Sequence, residues 1–159
     1  MKKKISFDYD EKAGLTMATL KTSKGTFYGM SCKHPDDKFP SSYSIGTNIA
    51  EARAYINLYN KLIADKTIEL KGLQRLMNSM PDTNEGFHYV SNLYYAIKNE
   101  RCKFKDERAY WKAIVKNNIE ARGIYLRSRT TNKKEKEAYL KKLGEGIEML
   151  GKLNKDKND

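Results

Sequence analysis

The sequence predicts an α+β protein: an N-terminal three-stranded antiparallel β-meander, then a long α-helix and a C-terminal helical bundle. Three observations lead there. Apolar residues alternate with period two through the first 32 positions, between short turn-forming stretches. From residue 48 onward the apolar period becomes that of a helix. The composition, 39% hydrophobic with 11% aromatic residues, is that of a chain able to bury a core.

The strands come first. Ile5, Phe7 and Tyr9 alternate with Ser6 and Asp8, the pattern of a half-buried strand. Asp10-Glu11-Lys12-Ala13-Gly14 reads as a turn, with Gly14 free to take a positive φ. Leu15 to Lys21 is a second strand, Thr22-Ser23-Lys24-Gly25 a second turn, and Thr26 to Cys32 a third strand. Loops this short join antiparallel neighbours in sequential order. Residues 33–47, with Pro35 and Pro40, read as loop, which closes a first segment at 1–47.

The helices follow. Asn48 and Glu51 stand three apart in capping-box form and predict a helix over 48–80. Ile49, Ala52, Ile56, Tyr59, Ile63, Leu70, Leu73, Met77 and Met80 recur at spacings of 3, 4, 3, 4, 7, 3, 4 and 3, a heptad seam interrupted at Lys66. Pro81-Asp82-Thr83-Asn84-Glu85 stops this helix and starts the next, whose apolar face is Phe87, Val90, Leu93, Tyr94 and Ile97. A break is expected around 101–105, with Asp106 capping a further helix that carries Tyr110, Trp111, Ile114 and Val115 and ends or bends at Gly123. Asn132 and Glu135 offer another cap before Leu140, Leu143, Ile147, Leu150 and Leu153. Residues 81–153 thus form a basic helical region, and 154–159 a polar, disordered tail.

Charge narrows the partner. The 31 Lys and Arg against 20 Asp and Glu give +11, which favours polyanions or acidic surfaces. Residues 98–142 hold fifteen of the basic and six of the acidic groups, a local excess of +9. No apolar run has the roughly 20 residues a membrane-spanning helix needs, so no membrane partner is expected. The Lys-rich start lacks an apolar core such as a signal peptide carries, and two cysteines make no disulfide framework. Both point to the cytoplasm.

Catalytic patterns are weak. Cys32, His34, His88 and Cys102 are the right residue types for zinc, but their spacing is not that of paired knuckles. Asp36 and Asp37, beside His34 and with Asp8 and Asp10 on the first strand, resemble an acidic metal site only in composition; Asp is also ordinary in turns. Neither GxxxxGK[ST] nor GxGxxG occurs. The sequence therefore predicts a non-enzyme with neither metal nor cofactor.

The basic stretch is more informative. Arg101, Lys103, Lys105, Arg108, Lys112, Lys116, Arg122, Arg127, Arg129, Lys133 and Lys134 are the residue types that neutralise phosphates, and they predict a nucleic-acid-binding face. Tyr110, Trp111 and Tyr125, interleaved with them, suit base stacking, but helical spacing favours core positions for the first two. The alternative is a protein-protein adaptor in which Ile49, Ile56, Tyr59, Ile63, Leu70, Leu73 and Met77 dock a partner helix or a second copy of the chain.

Two resemblances bear on this. The meander and the helix opening Ala50-Glu51-Ala52-Arg53-Ala54-Tyr55 loosely resemble the sheet-plus-helix DNA-binding domains of plant ethylene-response factors and some integrases. That resemblance implies that Lys12, Lys21 and Lys24 face nucleic acid. Residues 1–80, with a Lys-rich start, Gly25-Thr26-Phe27-Tyr28-Gly29, the His34-Pro35-Asp36-Asp37 loop and the same helix opening, resemble small accessory proteins of phages infecting Gram-positive bacteria. This second resemblance implies nucleic-acid handling or inhibition of a host defence complex, including anti-CRISPR activity, in the host cytoplasm. The expectation is a non-catalytic basic protein that engages nucleic acid or a nucleoprotein complex.

Overall fold

The computed structural model describes residues 1–33, 42–83 and 85–130, the side chains of 126–130 excepted, and six isolated, exposed helical positions between 138 and 148. Three strands, β1 (Lys3–Asp10), β2 (Leu15–Thr22) and β3 (Gly25–Cys32), are followed by two helices, α1 (Tyr43–Asn78) and α2 (Glu85–Thr130). The α+β class and the antiparallel β1-β2-β3 meander are therefore present. The chain divides into two compact units, Met1–Asn57 with Tyr110–Asp159, and Leu58–Ala109. Both helices cross the division.

The hairpins follow from local chemistry. Asp10 Oδ1 accepts the Ala13 amide at 3.1 Å and Gly14 takes φ 61°, closing the first turn. In the second, Thr22 Oγ1 accepts from the Lys24 amide and donates to the Gly25 carbonyl, each at 3.1 Å. Register aligns Ile5 with Leu20 and Phe27, Phe7 with Ala18 and Gly29, and Tyr9 with Thr16 and Ser31, making three rows across one face. Leu20 and Ala18 are fully buried there. Burying a leucine side chain contributes about 2 kcal/mol.

In the first unit α1 lies directly against this face. Gly29 makes that possible: a methyl group in its place would run into the Ala50 carbonyl oxygen and the Ala54 amide nitrogen. Ala50 and Ala54, one turn apart, are fully buried. Arg53 Nη1 donates to the Met30 carbonyl at 2.6 Å and Asn57 Nδ2 to the Tyr28 carbonyl at 2.7 Å, which occupies acceptors on edge strand β3. On another side of α1, Tyr55 stacks on Trp111 of α2 with centroids 4.2 Å apart and planes 2° from parallel. Lys3 Nζ stands 5.1 Å from the Tyr55 ring centroid. Burial of the Glu51 carboxyl raises its pKa, and burial of Tyr55, with the Glu51 charge beside it, raises that of the phenol.

In the second unit, Leu58, Tyr59, Leu62 and Leu70 of α1 and Val90 of α2 are buried. Tyr59 meets Phe104 at 6.1 Å between centroids, and its hydroxyl lies 3.4 Å from Glu107 Oε2.

Several boundaries differ from the sequence reading. α1 begins at Tyr43, not Asn48, because Ser42 supplies the cap: its Oγ accepts the Ile45 amide and its carbonyl the Gly46 amide. Asn48 instead donates to Asn118 Oδ1 at 3.3 Å. The break expected at 101–105 is absent, and the helices expected on either side of it are one 46-residue element. That stretch has neither Gly nor Pro, and Arg101, Phe104 and Arg108 all contact α1, so continuing the helix gains packing without backbone strain. Asp106 is consequently a mid-helix residue, and Gly123 sits inside α2. A bundle of separate helices is not present among the described residues. The helix expected after Asn132, apart from the six isolated positions, and the tail 154–159 lie outside them.

Candidate polyanion-binding surfaces

Within α2, Lys98, Arg101, Lys105 and Arg108 follow one another at spacings of 3, 4 and 3, which places them on one helix face in the second unit. Lys103 is about 200° around the helix from Arg101. Arg108 Nη1 donates to Asn60 Oδ1 of α1 at 3.0 Å. Arg101 Nη1 reaches Thr67 Oγ1 at 3.3 Å, while its Nε is buried with no hydrogen-bond partner. A buried guanidinium donor left unsatisfied costs on the order of 1–3 kcal/mol and invites an acceptor.

Arg101 lines a cleft of about 330 Å³ with Thr67, Leu70, Lys71, Gln74, Arg75 and Tyr94. Thr67, Lys71 and Arg75 are four residues apart in succession and so share a face of α1. Three cations meet here and, among the described residues, no carboxylate lines the cleft. Nearby acids are engaged elsewhere: Glu69 and Glu100 both hold Lys66, at 3.2 and 3.0 Å, and Asp65 holds Lys61 at 2.7 Å. The hydrogen bond from Lys66 to Glu100, with that to Glu69, raises the Lys66 pKa against the opposing effect of burial.

The other predicted basic residues belong to the first unit. Lys112 and Lys116 are exposed, Lys116 only 4.0 Å from Glu120. The Arg122 guanidinium stands 5.3 Å from the ring centroid of Tyr125, three residues further along the same helix. Arg127 and Arg129 lie in α2, but their side chains, like Lys133 and Lys134 entirely, are outside the described residues. Counted over its whole length, the first unit carries 22 basic and 13 acidic residues, the second 9 and 7.

The predicted docking seam is largely occupied within the chain. Ile49, Tyr59 and Leu70 are buried, and Ile56, Ile63, Leu73 and Met77 are half-buried. The heptad pattern reports packing within the chain here. Trp111 is likewise engaged with Tyr55 and, edge-on at 5.2 Å, with Tyr110.

Sequence reading missed Thr67, Lys71, Arg75 and Tyr94. The i, i+4 spacing of the first three was available as a signal, but the apolar seam dominates the pattern of that helix. Of the candidate metal ligands, Cys32 and Cys102 are exposed free thiols, Asp10 holds a turn, and His34, Asp36 and Asp37 lie outside the described residues. Among the described residues no three His, Cys, Asp or Glu side chains gather to hold a metal, and no helix is long and apolar enough to cross a membrane. No protein-family model, curated protein or solved structure matches the chain.

Proposed function

We propose that this is a non-catalytic binding protein for nucleic acid or a nucleoprotein complex, and that the Lys71–Arg75–Arg101 cleft is one of its phosphate contacts. The observation that carries the reading is this cleft: three cations, one with a buried unsatisfied donor, and no lining carboxylate among the described residues. A phosphate in the cleft is held by the charges of Lys71, Arg75 and Arg101, and Gln74 adds an uncharged donor. The exposed Lys98 and Lys105 extend the contact along α2, while the +9 excess of the first unit adds long-range attraction. Binding by occupancy fits the inhibitory role that the phage-protein resemblance implies.

The test is fluorescence anisotropy with labelled single-stranded DNA, duplex DNA and RNA across a KCl series. Replacing Lys71, Arg75 and Arg101 together by Ala should weaken binding roughly ten- to a hundredfold and lower the salt slope by about 2 to 3. A parallel Arg122→Ala, Arg127→Ala, Arg129→Ala protein tests the first unit. If both triple variants keep the wild-type affinity and slope, the proposal fails.

A second reading, the adaptor, has one observation in its favour. Ile68 is 70% and Leu76 42% exposed on α1, and Tyr89 and Tyr95 are exposed on α2. Light scattering across a concentration series would show self-association; a monomer at high concentration removes that form of it.

A further inference from the structure

The first unit contains a cavity of about 380 Å³, within the range typical of small-molecule sites. It arises from the row structure of the sheet. The Ile5 and Phe7 rows are apolar, and the Phe7 row meets α1 at Gly29; the third row, Tyr9-Thr16-Ser31, ends in hydroxyls and lines the cavity. Thr16 is 1% and Ser31 7% exposed, so this polar row is built into the interior. Opposite it stands Gly46 in the first turn of α1, where an added Cβ would be 2.8 Å from Thr16 Oγ1. Glycine there lets the first turn of α1 pack directly over the Thr16 hydroxyl at the floor of the cavity.

Ile45, Ile49 and Ile119 give the cavity apolar walls, and Lys33, Arg53 and Arg122 give it three cations. Among the described residues no carboxylate lines it. Arg53 is pre-positioned by its bond to the Met30 carbonyl, which removes part of the cost of ordering it around a ligand. The start of α1, at Ser42, borders the same space and adds the positive end of a helix dipole.

We propose that this cavity binds a small organic anion, an apolar body carrying a carboxylate or phosphate head. The isoleucine walls take the body. The three cations take the head. This site and the nucleic-acid cleft lie in different units and share no residue, so either can fail without the other.

The probes are phenyl phosphate, benzoate and the neutral benzyl alcohol, each titrated into the full chain by calorimetry and by amide NMR. An anion should bind at least roughly tenfold more tightly than benzyl alcohol, a difference of about 1.4 kcal/mol. Amide shifts should centre on Thr16, Ser31 and Gly46. Which of the two anions binds more tightly identifies the head group. Arg122→Met should remove most of the preference for the anion, and Ile119→Trp, at a half-exposed position, should block all three probes while leaving the fold intact by circular dichroism. Should Arg122→Met fail to fold, Lys33→Met serves for the same comparison. Equal binding of anion and alcohol, shifts confined to residues 58–109, or no saturable binding by about 10 mM would each overturn the proposal.

Discussion

Replacing Gly29 by Ala should separate α1 from the sheet. The added methyl would collide with the Ala50 carbonyl oxygen and the Ala54 amide nitrogen and would stand 2.9 Å from the Arg53 carbonyl carbon, where ordinary contact begins at 3.4 Å. All three are backbone atoms of a helix, so no side-chain rotation relieves the clash. The helix must retreat by something on the order of 1 Å, and overpacking of this kind costs about 1–3 kcal/mol. The same movement strains the hydrogen bonds from Arg53 to Met30 and from Asn57 to Tyr28, at roughly 1 kcal/mol each. Together this is about 3–5 kcal/mol, or a fall in Tm of about 10 °C for a chain of this size. Trp111, the one tryptophan, lies in the affected unit, so its fluorescence follows the transition while circular dichroism follows the helices. Gly72→Ala is the matched control. It sits in α1 with nothing within 4 Å of an added Cβ, so the same substitution should stabilise by roughly 0.5–1 kcal/mol. If Gly29→Ala lies within about 1 kcal/mol of wild type in urea and thermal melts, the close approach of helix and sheet is not what the glycine provides.

Three further outcomes follow from named contacts. Glu51 has a raised pKa because burial disfavours its charge, so its contribution is favourable while protonated and is lost as pH rises through the folded pKa; Glu51→Gln should raise Tm at neutral pH, and the gain should vanish below the ordinary value of 4.5. Lys66, with a pKa raised chiefly by Glu100, contributes fully below 10.5 and loses that contribution only as pH climbs past it, so the deficit of Lys66→Met in urea melts should be constant from neutral pH to about 9 and shrink in stronger alkali. Tyr55→Leu removes the stack on Trp111 while keeping apolar bulk; it should cost about 0.5–1.5 kcal/mol and shift Trp111 emission, and an unchanged spectrum would count against the stack.

The parts of this fold that sequence could reveal are those governed by neighbours a few residues apart. Alternation of Ile5, Phe7 and Tyr9, with glycine at the positive-φ positions 14 and 25, determines two hairpins and therefore the register that brings Thr16 and Ser31 into one row. The helical period of residues 49–80 likewise determines a helix and its apolar side. What covers that side was not legible, because a heptad seam has the same pattern whether its partner is another copy or the chain's own α2. Packing also decided that α2 runs unbroken through 101–105, since a stretch without Gly or Pro is helical or not according to the contacts of Arg101, Phe104 and Arg108. The cleft depends on the same long-range information. Arg101 lies far beyond Arg75 in sequence, and only the pairing of α1 with α2 within the second unit brings both to one cleft beside a buried donor. Charge composition follows from the amino acids alone, but its usefulness as a binding surface depends on which carboxylates tertiary contacts have already taken.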